Sequence, residues 1–334
     1  MSAPAQPGRP ASTIERAATQ PVVRRFAPPD TLREKALAAL LRLSLRLTFK
    51  VFVGPPWPLA VQRGVTHALS ALMPPTGGVK ITQTRIDGPA GAMAVERIAP
   101  RNVKPRHAIL FMHGGAFCVG SPRTHRAITT RLAALAQAEV LVPHYRRTPE
   151  APFPAQIEDG VAAYRRLLAD GYAPERLAIA GDSAGGSLTL LVPLALKQQG
   201  LPLPAALVLM SPLTDTTFSS ASMRENQSLD PMLRRGWIDQ AAAWYAAPHD
   251  HPLAAPLDGD LGGLPPALVQ VGTDEMLHDD ARRFTELATR QGNHVELEIY
   301  ERRWHVFQIH GGLLEGSLAA LQRQVAFLRR QWGR

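Results

Sequence analysis

The chain has 334 residues, of which 45% are hydrophobic and 19% are charged, and its formal net charge is +9. This composition supplies a large buried core, and the length predicts one main domain with a smaller accessory piece. The basic residues are scattered rather than gathered into a stripe with interleaved aromatic residues, which argues against a nucleic-acid partner. The single cysteine, Cys118, excludes an intramolecular disulfide and is typical of a reducing compartment.

The first thirty residues are rich in Ala, Pro and Arg, and they predict a flexible tail over residues 1–30. They lack the apolar segment of a signal peptide. No run in the chain approaches the roughly 20 apolar residues of a membrane-spanning helix. We therefore expect a cytoplasmic protein.

Residues 31–53 predict a helix with a basic stripe at helical spacing, made of Lys35, Arg42, Arg46 and Lys50. One interpretation is a helix that contacts a membrane surface or a substrate entry. The other, which we favour, is a cap helix that packs over the main domain with its basic edge in solvent. A proline-rich run at 55–58 ends this helix.

From residue 79 onward, predicted strands alternate with predicted helices. Residues 79–98 favour a β-hairpin, and residues 213–250 interrupt the alternation as an insertion or lid. Such alternation predicts an α/β fold, with a mostly parallel sheet covered by helices on both faces. The other predicted elements are strands at 108–112, 140–143, 177–180, 206–210, 267–271 and 295–300, and helices at 132–137, 161–168 and 316–330.

The run Leu177-Ala178-Ile179-Ala180-Gly181-Asp182-Ser183-Ala184-Gly185-Gly186 is the most informative stretch of the chain. A short apolar strand runs directly into Gly-x-Ser-x-Gly, and a helix-forming segment follows. That is the context of a nucleophile elbow, in which a sharp turn exposes the serine hydroxyl. The glycines keep so tight a turn free of side chains. Ser183 is therefore the predicted nucleophile.

A serine nucleophile needs a general base and an acid that orients the base. His305 lies between the last strand and the terminal helix, where its loop can return to the sheet edge, and His310 is the second choice. The acid should follow the preceding strand, where Asp274 and Glu275 both stand. Asp279 and Asp280 further along are explained as the start of a helix.

Acyl transfer also requires N–H donors for the oxyanion of the intermediate. His113-Gly114-Gly115-Ala116 follows a predicted strand, and its glycines let the backbone approach a substrate oxygen. We expect the N–H groups of Gly114, Gly115 and Ala184 to form this oxyanion hole. Asp182, beside the serine, is expected to hold neighbouring loops through hydrogen bonds.

These residues closely resemble the hormone-sensitive-lipase-like esterases, the bacterial family IV of the α/β-hydrolases. His113-Gly114-Gly115-Ala116 is similar to the family's HGG(G/A) motif, and Gly181–Gly186 to its GDSAGG elbow. Tyr145–Glu150 resembles a Y-R-L-A-P-E segment, with departures at Arg147 and Thr148. Ser211–Asp215 matches a recurrent segment after a strand. The resemblance covers most of the chain from about residue 78.

The resemblance bears on the acid and on the domains. The family pattern D-x-L-x-D, aligned on Leu277 and Asp279, places the catalytic acid at Glu275, where this chain departs from Asp; Asp274 stays the alternative. The expected organisation is a tail at 1–30, a cap built from 31–77 and 213–250, and an α/β-hydrolase domain at 78–212 and 251–334.

The resemblance further implies a serine carboxylesterase for short- to medium-chain esters, without cofactor or metal. It leaves a homodimer through an edge strand open. Its partners would be small-molecule esters, without nucleic acid, and any membrane contact would use the 31–53 helix. The same triad would also serve a lactone, carbamate or amide hydrolase, or a long-chain lipase. A ligand-binding homologue is the remaining alternative, against which His305 argues.

Several other residues have simpler explanations. His249-Asp250-His251 lacks a third metal ligand at suitable spacing and fits a solvated loop. Cys118 sits on no elbow-like turn and fits a packed thiol. The aromatic residues of the 213–250 segment could line an acyl pocket or simply pack within the cap; they are Trp237, Trp244 and Tyr245.

Overall fold

The computed structural model describes residues 20–248 and 251–333. The strands are β1 (Val22–Phe26), β2 (Val79–Gly88), β3 (Gly91–Pro100), β4 (Ala108–Met112), β5 (Glu139–Pro143), β6 (Leu177–Asp182), β7 (Ala206–Met210), β8 (Ala267–Gly272) and β9 (Val295–Tyr300). The helices are α1 (Leu32–Leu47), α2 (Phe49–Phe52), α3 (Leu59–Ser70), α4 (Arg126–Ala136), α5 (Ala155–Ala169), α6 (Ala184–Gln198), α7 (Ala221–Glu225), α8 (Arg235–Tyr245), α9 (His278–Arg290) and α10 (Glu315–Gln331).

A nine-stranded sheet organises the chain, in the order β1-β9-β8-β7-β6-β4-β5-β3-β2. β2 and β3 form the predicted hairpin and pair antiparallel, as do β3 and β5, whereas the pairs from β5 to β1 are parallel. The predicted α/β fold with a mostly parallel sheet is confirmed. Because parallel strands end at the same edge, the loops after β4, β6, β7, β8 and β9 meet at one edge.

The sheet is buried on both faces, and β6 shows why its sequence is an apolar run. All six residues of β6 are buried. Leu177 and Ile179 belong to the core cluster on one face, and Ala178 and Ala180 belong to the cluster on the other. Side chains that alternate between two covered faces leave no solvent-facing position for a polar residue.

The N-terminal segment differs from its prediction. Residues 22–26 pair in parallel with β9, and Arg24 Nη1 forms a 2.6 Å ion pair with Glu296. The expectation of a flexible tail is therefore wrong for these residues, while residues 1–19 lie outside the described part of the chain. The strand covers the edge of β9, so an assembly through that edge would have to displace β1. The homodimer stays a prediction.

Two separate segments of the chain form the layer above the loop edge of the sheet. Helices α1–α3 and the 213–248 segment share a hydrophobic cluster in which the Phe49 and Trp237 rings meet edge to face, with centroids 5.4 Å apart. Cys118 and Val119, in the loop after β4, belong to the same cluster. This packing lays both segments over the strand ends.

The predicted helix 31–53 is divided into α1 and α2, and its basic stripe does not face solvent as expected. Arg42 and Arg46 donate to the carbonyl oxygen of Leu229 at 3.1 and 3.4 Å, and Lys50 donates to that of Gln227 at 2.7 Å. Of the four predicted residues, Lys35 alone lies away from this segment and pairs with Asp30. Three of the four basic residues therefore form hydrogen bonds to backbone carbonyl groups of residues 227–230.

The apolar side chains of α1 occupy much of its exposed surface instead. Leu40, Leu43 and Leu47 are 62%, 54% and 61% exposed. Within residues 20–248 and 251–333, no helix has the length and apolar character needed to cross a membrane. The cytoplasmic location stays a prediction.

Candidate active site

Ser183 occupies the turn between β6 and α6, with φ 56° and ψ −122°. A residue other than glycine rarely adopts such a positive φ, so surrounding packing must impose it. The glycine at position 185 is required by that packing, because a methyl group there would overlap Met112 O and lie 2.7 Å from His113 O. The predicted elbow is present, and it leaves Ser183 half-buried.

Two other loops bring an imidazole and a carboxylate to Ser183. His305, in the loop after β9, has its Nε2 at 2.9 Å from Ser183 Oγ. Its Nδ1 lies 2.9 Å from Glu275 Oε2, in the loop after β8. Since a carboxylate can only accept, Nδ1 carries the proton and Nε2 is free to accept one from the serine.

Glu275 is fully buried and held by further donors. Its Oε1 accepts the Gly272 N–H at 2.6 Å and the Ser211 hydroxyl at 2.9 Å. The Ser211 oxygen in turn accepts the Val306 N–H at 3.1 Å, which ties the acid to the histidine loop. Sequence reasoning missed this role of Ser211, although its position directly after β7 was a usable signal.

Asp274, the alternative acid, points elsewhere. Its Oδ2 forms a 2.8 Å ion pair with Arg42 of α1, and its Oδ1 accepts the Thr273 hydroxyl at 2.8 Å. The structure therefore brings Glu275, and not Asp274, to the histidine. The choice depends on which way two adjacent side chains turn, and Arg42 gives Asp274 a partner of its own.

The site is arranged to stabilise a positive charge on His305. Burial alone lowers the pKa of the imidazole, but the hydrogen-bonded carboxylate of Glu275, with Asp230 and Asp182 further away, raises the pKa above its usual value. A raised pKa makes the imidazole a stronger acceptor for the serine proton.

The loop after β4, which carries His113–Ala116 and is called the oxyanion loop below, differs from its prediction at one N–H donor. The Gly114 N–H is bonded to Asp182 Oδ1 at 3.0 Å, so it is committed to the loop and not free for a substrate. Gly115 has φ 115° and would place a side chain against Val119. The next N–H, that of Ala116, and that of Ala184 at the start of α6 are the remaining candidates beside Gly115.

His113 and Asp182 support this loop from behind, as expected of Asp182. The His113 ring is buried and stacks on Tyr145 with centroids 4.1 Å apart, and its Nδ1 lies 2.9 Å from Gly114 O. Burial and the neighbouring His125 hold the pKa of His113 well below its ordinary value. A neutral His113 therefore donates its Nδ1 proton to the loop.

Two largely apolar cavities open on either side of Ser183. The larger, of about 300 Å³, is lined by cap residues including Trp237, Ala241 and Tyr245. The smaller, of about 120 Å³, includes His305 and residues of α1 and α3. Trp237 and Tyr245 thus lie beside the site, whereas Trp244 packs into the cap cluster.

The structure also places the other residues considered in the sequence, including His310, the second choice for the base. Cys118 is buried, and burial raises the pKa of its thiol to about 11. Burial, together with nearby Arg303, lowers the pKa of His310 to about 4. No group of three metal-ligating side chains exists among residues 20–248 and 251–333. His249 and Asp250 lie outside them.

Comparison with known proteins gives the family of the chain. Residues 109–309 match a family of α/β-hydrolase fold. An acetyl-hydrolase of Streptomyces hygroscopicus is 42% identical over 73% of this chain and 82% of its own. An esterase of Acinetobacter venetianus is 37% identical over 85% of this chain and 91% of its own.

Solved structures give the same result. The crystal structure of an esterase from the bacterial hormone-sensitive lipase family superposes with a TM-score of 0.83, at 36% identity over 91% of this chain and 99% of that one. A hormone-sensitive lipase from a metagenome library gives 0.83 at 33% identity, over 92% of this chain and all of that one. The chain therefore belongs to the hormone-sensitive-lipase-like carboxylesterases of the α/β-hydrolase superfamily.

Proposed function

We propose that this carboxylesterase hydrolyses short- to medium-chain acyl esters, with Ser183 as nucleophile, His305 as base and Glu275 as orienting acid. The observation that carries the proposal is the continuous contact from Ser183 Oγ through His305 to Glu275, at 2.9 Å in each step. A serine hydroxyl is activated in this way when its proton has an adjacent acceptor.

The reaction proceeds in two steps through an acyl-enzyme. Ser183 Oγ attacks the ester carbonyl while His305 Nε2 takes its proton, and Glu275 stabilises the resulting imidazolium. The N–H groups of Gly115, Ala116 and Ala184 hold the oxyanion. His305 then protonates the leaving alcohol, and in the second step it activates a water that releases the acid.

The position of His305 supports an assignment of the two cavities to the alcohol and acyl parts of the ester. The histidine must reach the leaving oxygen, so the alcohol lies in the smaller cavity, which His305 lines. The acyl chain then occupies the larger cavity of about 300 Å³, one wall of which is formed by residues of α8. A largely apolar cavity of that size favours short to medium chains over long ones.

The test is hydrolysis of p-nitrophenyl esters from acetate to palmitate by wild type and by Ser183→Ala. We expect turnover to peak at short to medium chains and to fall by about 10⁴-fold or more in the variant. Turnover that survives in Ser183→Ala, or a maximum at palmitate, would contradict the proposal.

A second pair of variants tests the cavity assignment. Ala241→Phe fills the larger cavity and should shift the preferred acyl chain toward acetate. Leu69→Phe, in the smaller cavity, should leave the acyl preference unchanged and instead penalise esters of bulky alcohols. The reverse pattern would exchange the two assignments.

A further inference from the structure

Asp230 is a buried carboxylate that none of the sequence motifs singles out. It lies between α7 and α8 in the cap and is fully buried. Its Oδ1 accepts the N–H groups of Met232 and Leu233 at 2.8 and 2.9 Å, and its Oδ2 accepts the Met276 N–H at 3.0 Å. Burial raises the pKa of this carboxyl above its ordinary value, while the charge of His305 and the three N–H donors act in the opposite direction and favour the ionised form.

These contacts join the cap to the loop that carries Glu275. Met276 immediately follows Glu275, and Asn226 Nδ2 donates to the carbonyl oxygens of Thr273 and Glu275 at 3.0 and 2.9 Å. Lys50 of α2 also donates to the carbonyl oxygen of Asp230 itself. The acid loop is therefore fixed from the cap side by a segment that α1 and α2 hold.

The charge of Asp230 also acts on His305. The carboxylates that attract the imidazolium are Glu275, Asp230 and Asp182, and Asp182 is shared with His125 at 3.3 Å. The other nearby charges are paired among themselves: Asp274 with Arg42, and Arg303 with Glu34. Asp230 is thus a negative charge near His305 that has no cationic side chain of its own within ion-pair distance among the described residues.

We propose that Asp230 is a positioning residue for the proposed reaction, which holds the Glu275 loop through Met276 and supports the imidazolium of His305 with its charge. The proposal rests on the proposed function, in which His305 becomes positive when it takes the serine proton. It gives the cap a part in the acid–base chemistry besides the walls of the substrate cavities.

Asp230→Asn tests the proposal, with Asp280→Asn as matched control. Asp280 is equally buried and also accepts two backbone N–H groups, from Thr214 and Asp215, but it is not among the carboxylates that act on His305. We measure kcat/KM against pH for both variants and wild type. Wild-type kcat/KM rises with pH as His305 loses its proton, because the neutral imidazole is the base.

Loss of the Asp230 charge makes the imidazolium less stable and lowers the pKa of His305. The acidic limb of the profile should therefore move to lower pH by roughly half a unit to one unit, with kcat/KM on the plateau lower by roughly 10- to 100-fold. Asp280→Asn should leave the limb in place. A limb at the wild-type pH in Asp230→Asn would overturn the proposal.

Two further measurements keep the test decisive. If Asp230→Asn fails to fold, Asp230→Ser removes the charge without setting an amide donor against the Met276 N–H, and the same shift is expected. NMR titration of the His305 ring, assigned by comparison with His305→Asn, reports its pKa without turnover. A shifted titration with hydrolysis that survives Ser183→Ala would reject the proposed function but keep the Asp230 interaction; an unshifted one would reject the interaction.

Discussion

The serine elbow and the acid loop lie at the same edge of the sheet, yet they are held in different ways. The elbow is fixed by packing of backbone against backbone at the centre of the sheet, with Gly181 and Gly185 pressed against the end of β4. The acid loop is fixed by side chains from α1 and from residues 222–230, more than forty positions away. One half of the site is held by the backbone of the central sheet, and the other depends on side chains of the cap.

The difference predicts how each half responds to damage. Substitutions in the elbow should distort the fold around β6, because the atoms that surround its glycines belong to the backbone and cannot move aside. Substitutions in the cap contacts should leave the core intact and lower activity through changes at Glu275 and His305. The variants below test that distinction, beginning with the acid itself.

The largest expected effect is that of Glu275→Gln. Its amide would present a donor to His305 Nδ1 in place of an acceptor, which favours the wrong tautomer of the imidazole. We expect kcat to fall by about 10³- to 10⁴-fold. Steady-state kinetics with a p-nitrophenyl ester measures this loss directly.

Asp274→Asn is the matched control for that variant, since it alters the neighbouring carboxylate by the same atoms. It loses only the ion pair with Arg42, so a loss of no more than about fivefold is expected. A larger loss at Asp274 than at Glu275 would mean that the adjacent side chains exchange roles in solution.

Gly185→Ala should break the elbow. The added methyl would overlap Met112 O and would lie against His113 O, and both are backbone atoms that cannot rotate away. We expect the free energy of unfolding to fall by about 3 kcal/mol or more, together with activity. Chemical denaturation measures the first, and ester hydrolysis the second.

Gly64→Ala is the matched control for the elbow variant. Gly64 lies within α3, and a methyl group there would meet no atom within 4 Å. Because alanine favours helix more than glycine does, the free energy of unfolding of this variant should exceed that of wild type by about 0.5–1 kcal/mol. Equal losses in the two variants would show that elbow packing is not the cause.

The same distinction decides what the sequence could predict. The elbow, the glycines of the oxyanion loop and the position of His305 follow from short motifs beside strands, because local sterics require those residue types. The Glu275 side chain, the bond from Gly114 to Asp182 and the role of Asp230 depend on contacts between distant segments. No pattern in α1 indicates that its basic residues bind carbonyls of 227–230 rather than water.

The pairing of β1 with β9 escaped prediction for a related reason. Residues 22–26 follow a segment rich in Ala and Pro, and four of the five are exposed, so hydrophobic periodicity gives little signal. Their place is set by the free edge of β9 and by the ion pair of Arg24 with Glu296. Edge pairing of this kind can be recognised only when the order of the strands in the sheet is known.

Asp280 sharpens the comparison through the pH dependence of stability. Burial raises the pKa of its carboxyl to about 7, although it accepts N–H groups from Thr214 and Asp215. The folded state therefore binds this proton more tightly than the unfolded state, and the stabilisation present at low pH is lost as pH rises from about 4 to 7.

Asp280→Asn removes that pH dependence. Between pH 5 and pH 7, the unfolding free energy of wild type should fall relative to the variant, by at most about 2.7 kcal/mol over two pH units. Urea denaturation at the two pH values measures the difference. A constant difference would mean that Asp280 does not titrate in this range.

The smallest expected effect is that of Arg42→Met. Arg42 donates to Asp274 at 2.8 Å and to the carbonyl oxygens of Leu229 and Arg302 at 3.1 and 3.0 Å, so it touches the acid loop, the cap segment and the histidine loop. Its side chain is 21% exposed, and a partly exposed ion pair contributes only about 0.5–1 kcal/mol. We expect kcat/KM to fall by roughly two- to fivefold with KM little changed.

Lys35→Met is the control for Arg42→Met, because Lys35 stands on the same helix and its pair with Asp30 is 53% and 83% exposed. It should leave kcat/KM unchanged. Equal effects from the two variants would mean that any lost charge on α1 matters, as in long-range attraction of a substrate. An effect of Arg42→Met alone, additive with Asp280→Asn but not with Asp274→Asn, would show that α1 acts on the reaction through the acid loop, since only residues that share a contact couple energetically.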